Sequence, residues 1–452
     1  MAVFNNNLLA GAGAQSSAST YKIDQSLRFD SSANVNLIDS SVGAGDSRKK
    51  NTFSVWVKRG KITSQGYIGA YRYDATNYQY WLFKADDTLE FTDVSGGSVI
   101  GKLVTTQVFR DVSAWYNLTF VWDTANVIPT ERMIIYVNGQ RVTSLSTATY
   151  PSLNVDSGGA GRASSDIRIG TYYAVAGTFF DGYMANIVYI DNGALDASSF
   201  GETNDNGIWI PRDVSGLTFG TRGFYIDGRD ASDLGDDESG NGNDFSSGLS
   251  ADDQMADSPT NNHATWNPLT GSAQVYSNGN LNAATASAAW KGGLTTIQVP
   301  LNSGTWYYEV YIDSAGSSSG QFSVGWSESN RSMSDDNSSG DTEGWITYAI
   351  NGNYYARSGA GSYGASYTTG DVIGCKVNTN TSTNNVEWYK NGASQGTRSE
   401  PLNLGGTGFI SPYILLYGTR NGTARFAQNE WTQTPSGITE ANAINTTNLG
   451  AE

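Results

Sequence analysis

The chain has 452 residues, with 43 acidic and 27 basic side chains and a formal net charge of −16. That balance, with no local basic run, excludes a protein that holds nucleic acid or an anionic membrane by displacing counterions with Lys and Arg. One cysteine, Cys375, and one histidine, His263, exclude an intrachain disulfide, a thiolate zinc site and a histidine metal cluster within one chain.

Residues 1–20, beginning MAVFNNNLLAGAGAQSS, are small and polar and read as an N-terminal arm that anchors on a partner. They lack the charged start of a signal peptide, and glycines interrupt their short apolar run. No stretch reaches the roughly 20 apolar residues of a membrane span. From 21 to 226 short period-two segments alternate with turns: Thr52-Phe-Ser-Val-Trp-Val-Lys58, Gln79-Tyr-Trp-Leu-Phe83, Trp115-Tyr-Asn-Leu-Thr-Phe-Val-Trp122 and Arg132-Met-Ile-Ile-Tyr-Val137. Residues 227–262 follow as a predicted acidic connector. Between Asp227 and Asp257 it holds ten carboxylates against one cation, Arg229. A second strand-rich block spans 263–431, including Thr305-Trp-Tyr-Tyr-Glu-Val-Tyr-Ile312, Gln321-Phe-Ser-Val-Gly-Trp326 and Val386-Glu-Trp-Tyr-Lys390. Residues 432–452 read as a polar tail.

Asn-Gly turns at Asn138, Asn192, Asn351 and Asn391, 53 glycines and no long 3.6-residue period make the expectation all-β: two antiparallel sandwiches joined by the acidic connector. Trp56, Trp115, Trp122, Trp306, Trp326 and Trp388 fall in strand patterns and are expected in the cores, as is Cys375. His263, among Asn and Thr, is expected at the surface.

The segments TFSVWVKRG (52–60), AWYNLTFVWDTA (114–125), MIIYVNGQRVTS (133–144), DIRIGTYY (166–173) and FFDGYMANIVYIDNGALDASSF (179–200) occur in the order of the concanavalin A-like, laminin-G-like sandwich family, which the first block resembles. The resemblance implies a jelly roll of two antiparallel sheets. The second block is similar to SPRY domains through GTWYYEVYI (304–312), FSVGWS (322–327), TGDVIGCKVN (369–378), VEWYKNGASQGT (386–397) and PYILLYG (412–418). SPRY domains present loops for protein recognition and are not enzymes. This pairing, with the asparagine-rich opening and the DESGNGNDF connector, resembles fibre or adhesion proteins of tailed bacteriophage virions. That resemblance implies synthesis in the host cytoplasm, anchoring to other virion proteins through the N-terminal arm, a host-surface glycan or receptor as partner, and a homo-oligomer, with a trimer favoured.

The residues offer few catalytic patterns. Glucanases of this fold use paired carboxylates about 5–5.5 Å apart for retaining hydrolysis, yet the nearest pattern here, Glu90-Phe-Thr-Asp93, has the wrong spacing for a laminarinase-type strand. Gly392-Ala-Ser394-Gln-Gly396 and Gly359-Ala-Gly361-Ser-Tyr-Gly364 satisfy nucleophile-elbow and dinucleotide patterns, but neither opens a helix. Both read as turns. Asp227, Asp230, Asp233, Asp236, Asp237, Glu238 and Asp244, interleaved with Gly and Asn, supply the hard oxygens calcium prefers, and the alternative is a solvated acidic linker. For glycan binding, which pairs aromatic faces with planar polar groups, one cluster is Tyr71, Tyr73, Asp74, Asn77 and Tyr78 and another is Tyr354, Tyr355, Tyr363 and Tyr367. The leading expectation is a non-enzymatic virion adhesin. A structural decoration or connector protein and, behind it, a glycosidase are the alternatives.

Overall fold

The computed structural model describes residues 21–40, 43–173, 177–270, 274–316, 321–331, 343–380 and 384–450. The predicted N-terminal arm, 1–20, lies outside the described residues, as do the last two positions of the tail. Among the described residues there is no α-helix, only short 3-10 turns between strands. The described residues divide into two units, 21–261 and 262–450.

The first unit is a sandwich. One sheet runs Gln140–Arg141, Met133–Val137, Trp115–Asp123, Lys50–Arg59, Gly182–Asp191, Ser26–Phe29 and Gln254–Met255, with Phe224–Ile226 also pairing Gly182–Asp191. The other runs Leu145–Thr149, Ser98–Val108, Thr88–Ser95, Tyr78–Phe83, Gly66–Arg72, Asp166–Ile169, Leu37–Asp39 and Ser246–Ser247. The pairings between these strands are antiparallel. Alternate residues of each sheet meet in one core, in which Phe53 stacks on Trp81 at 4.1 Å with Phe91, Phe120 and Trp122 around them. The Asn138-Gly139 turn has φ of 46° and 75°, the doubly positive geometry that closes a two-residue hairpin without splaying its strands.

The acidic segment is not a connector. Its strands Ser246–Ser247 and Gln254–Met255 complete the edges of both sheets of the first unit, and Leu234 and Phe245 enter the core. These two apolar side chains stand singly among polar residues, so periodicity does not reveal that they are anchors.

The second unit has two sheets of its own. One runs Val275–Ser277, Asn282–Thr285, Arg420–Arg425, Thr305–Ser314, Val372–Asn378, Asn384–Lys390 and Ala393–Glu400; the other runs Lys291–Leu294, Phe409–Leu416, Phe322–Glu328, Trp345–Ala349, Asn353–Ala356 and Gly359–Ser362. Its core holds Trp266, Trp306, Trp326, Trp388 and Cys375. The fold expectation of two antiparallel sandwiches is therefore met, and all six strand tryptophans are buried. The tail differs from expectation. Ala443 and Ile444 are fully buried, and the Ala264 amide donates to the Ile444 carbonyl at 3.0 Å, so the tail folds back on residues 262–266. His263 is covered with it: 2% exposed rather than on the surface, with Nδ1 3.1 Å from the Phe426 carbonyl.

Candidate functional site

The strongest cluster of sugar-type side chains lies on the outer face of the second sheet of the first unit. Strand alternation places Tyr78 and Tyr80 on one face of Tyr78–Phe83 while Gln79, Trp81 and Phe83 turn inward. Register then puts Arg72 beside Tyr78, and Asp166 beside Arg72. Tyr67, at a bulge in the next strand, lies edge-on to Tyr80 at 5.3 Å. Tyr172, from the loop after Asp166–Ile169, stacks on Tyr67 at 5.3 Å and meets Tyr78 edge-on at 5.2 Å. Arg72 sits 4.3 Å from the Tyr173 ring, and Arg168 lies 5.4 Å from the same ring. The result is a half-exposed aromatic platform with two guanidinium groups at its margin.

A buried carboxylate, Glu90, organises the other margin, accepting from Tyr80 Oη at 2.8 Å, Thr92 Oγ1 at 2.8 Å and Lys102 Nζ at 2.7 Å. Burial, reinforced by neighbouring tyrosines and Glu90, pushes the Tyr67 hydroxyl up to about 12, and burial beside Glu90 raises Tyr80 further. Both stay protonated donors at any physiological pH. Asp93, three residues along the strand from Glu90, faces the opposite way, accepting from Gln79 Nε2 at 2.9 Å and the Gly158 amide at 2.9 Å. Glu90 and Asp93 therefore do not form a hydrolytic pair.

The structure separates the residues singled out in the sequence. Tyr78 belongs to the platform. Tyr71 faces inward, 5% exposed, with its ring 4.9 Å from Tyr189, so it is a core residue. Tyr73 is exposed, with the Arg162 guanidinium 3.5 Å over its ring. Asp74 and Asn77 build the turn: Asp74 accepts from the Thr76 amide and from Asn77 Nδ2, and these bonds hold its carboxyl down at about 2. In the second unit Tyr367 is core, its hydroxyl donating to the Phe322 and Tyr348 carbonyls at 3.0 and 2.9 Å. Tyr363 packs edge-on against Trp388 at 5.3 Å, and the Arg398 guanidinium lies 3.4 Å over Tyr354. Both half-cover that core. Tyr355 accepts from Asn351 Nδ2 at 3.2 Å. These four do not converge on a single surface. Sequence reasoning missed Tyr67, Tyr80, Tyr172, Arg72 and Arg168; alternation from Tyr78 points to Tyr80, but the others come together only through strand register.

The acidic residues have other work. Asp237 accepts from the Tyr225, Ser239 and Asn243 amides and from Ser239 Oγ, at 2.8–3.0 Å. Asn241 and Asn243 donate to the Gly223 carbonyl at 2.9 and 2.8 Å. Asp227 pairs with Arg229, Asp230 caps Ser232, Asp233 accepts from the Gly235 amide, and Asp244 accepts from the Asp237 amide. Asp236 and Glu238 are raised, Asp236 by its surroundings and nearby carboxylates and Glu238 chiefly by Asp227, which is mutual repulsion. The oxygens of Asp237 are thus engaged by amides and a hydroxyl, and among the described residues no three His, Cys, Asp or Glu converge as metal donors.

Residues 29–199 match the family model described as the concanavalin A-like lectin/glucanases superfamily, and residues 305–429 match the SPRY domain model. Similar solved structures include the SPRY domain of human HERC1 (20% identity, 36% of this chain and 99% of that one, TM-score 0.30). A heptameric SAP-like pentraxin from Limulus polyphemus (17%, 39% and 80%, TM-score 0.30) and domains LG4-5 of the mouse laminin alpha1 chain (12%, 93% and 96%, TM-score 0.30) are also similar. No curated protein matches the chain.

Proposed function

We propose that the protein is a non-enzymatic adhesin of a tailed-bacteriophage virion, and that it binds host-surface glycan on the tyrosine platform of its first unit. The observation that carries the glycan reading is the platform itself: the half-exposed rings of Tyr67, Tyr78, Tyr80 and Tyr172 pack together beside Arg72 and Arg168. Pyranose C–H faces stack on such rings while their hydroxyls meet the planar donors at the edge. Two domains of kinds associated with binding support a recognition role, and the opposed Glu90 and Asp93 give hydrolysis no foothold in this platform. The virion setting rests on the pairing of these two modules in an asparagine- and glycine-rich chain with a single cysteine.

Glycan-array binding by the full chain tests the first part. Tyr78→Ala and Arg72→Ala should each weaken binding at least tenfold, about 1.4 kcal/mol, with little change in melting temperature. Equal binding by wild type and both variants would remove the platform from the reading. Antibody labelling of intact particles tests the virion setting. A structural contact role within the particle has one observation in its favour: Val127 (77% exposed) and Ile128 (53%) form an apolar tip on the first unit.

A further inference from the structure

Lys58 and Asp257 meet inside the first unit, 199 residues apart in sequence, with side chains 1% and 0% exposed. Register aligns Trp115, Lys58 and Tyr183 as lateral neighbours on three adjacent strands, and the segment after Gln254–Met255 crosses their outer face. Lys58 Nζ lies 2.7 Å from Asp257 Oδ2, while Trp115 Nε1 donates to Oδ1 at 3.1 Å. The Ser26 hydroxyl donates to the Asp257 backbone carbonyl, fixing the residue from its other end. The Tyr183 ring lies 5.6 Å from Nζ and helps exclude water.

An ammonium and a carboxylate without solvent are poised to exchange a proton, because desolvation disfavours both charges. Burial lowers the Lys58 amine against the pull of Asp257 and Asp111. The Lys58 amine thus faces a carboxyl group whose Oδ1 already accepts an indole N–H, at contact distance and away from competing water.

We propose that Lys58 and Asp257 condense into an intramolecular isopeptide bond. The Nζ lone pair attacks Asp257 Cγ, and the developing negative charge on Oδ1 is held by the Trp115 N–H. Of the three protons on the Lys58 ammonium, two pass to Oδ2, one before the attack and one after it, so Oδ2 leaves as water when the Cγ–Oδ2 bond breaks and the amide nitrogen keeps the third. The balance is amine plus acid giving amide plus water, with no oxidant or reductant. The bond ties the last strand of the unit to Lys50–Arg59 in the middle of its sheet, so a pull on the chain at Asn261 reaches the centre of the sandwich instead of peeling its edge.

Mass spectrometry of the purified full chain decides the matter. The wild type should be lighter than its sequence by one water, and digestion should release a branched peptide joining the segments that carry Lys58 and Asp257. Asp257→Asn should give the same branched product with loss of ammonia, whereas Lys58→Met and Asp257→Ala should show their sequence masses and linear peptides only. A wild type at its full sequence mass, with both segments recovered as linear peptides, would overturn the proposal whether or not the variants fold. Loss of water without the branched peptide, as from a succinimide elsewhere, would overturn it equally.

Discussion

The two sandwiches handle buried charge differently. The first pairs charge with charge: Arg59 with Asp87 and Arg28 with Asp253, each with both side chains almost wholly out of water. In the second, among the described residues, the cations of the ion pairs keep 22–27% of their side chains exposed. Its buried carboxylates accept mainly from loops. Glu328 takes the Gly344, Gly405 and Thr407 amides, and Glu309 takes the Thr432 and Gln433 amides. A desolvated ion pair fails badly when one partner is lost, whereas an amide cradle fails only by the hydrogen bonds it orphaned.

The largest break in this comparison is Asp87→Ala. It leaves the Arg59 guanidinium buried without its carboxylate and should cost about 3–5 kcal/mol in the first unit. Hydrogen exchange followed by peptide mass across a urea series should show Lys50–Arg59 opening early while peptides of the second unit keep their midpoint. Glu328→Ala is the matching change in the second unit, and its orphaned amides should cost about 1–3 kcal/mol there, with the first unit unmoved. If both variants destabilise both units equally, the contrast is wrong.

Proton linkage sharpens the difference. Burial pushes Asp93 and Asp181, both in the first unit, up to about 6 from an ordinary 3.8. Between those values the native state holds protons that the unfolded chain has released, so stability rises as pH falls through about 6 and is lost as pH climbs past it. From pH 7 to 5 the gain should be about 1 kcal/mol per group, and Asp93→Asn should remove its share. A first unit whose exchange midpoint is flat over that range would contradict the assignment. The smallest expected effect concerns calcium. Because the oxygens of Asp237 are already engaged by amides, millimolar calcium should leave the melting temperature where it was, and a shift reversed by EDTA would restore the acidic segment as a metal site.

Several of these features are legible in the residues. Period-two runs such as Thr52–Lys58 and Trp345–Ile350 and the Asn-Gly turns give strands and hairpins, and the strand tryptophans announce two cores. The acidic segment misleads because its folding signal lies in single side chains: Leu234 and Phe245 anchor it, and Asp253 and Asp257 meet Arg28 and Lys58 in strands more than 190 residues away. The platform was half visible. Tyr78 stands in an aromatic run, but Tyr71 in the same run faces the core because the strand turns between them.

What the sequence by itself determined is therefore the class of fold, the two-module order and the hairpin turns, since local alternation and backbone preference act over a few residues. Tertiary structure alone decided which tyrosines share a face, which carboxylates are paired and which segment closes each sheet. Those outcomes depend on register between strands distant in the chain, where a shift of one residue turns every side chain to the opposite face.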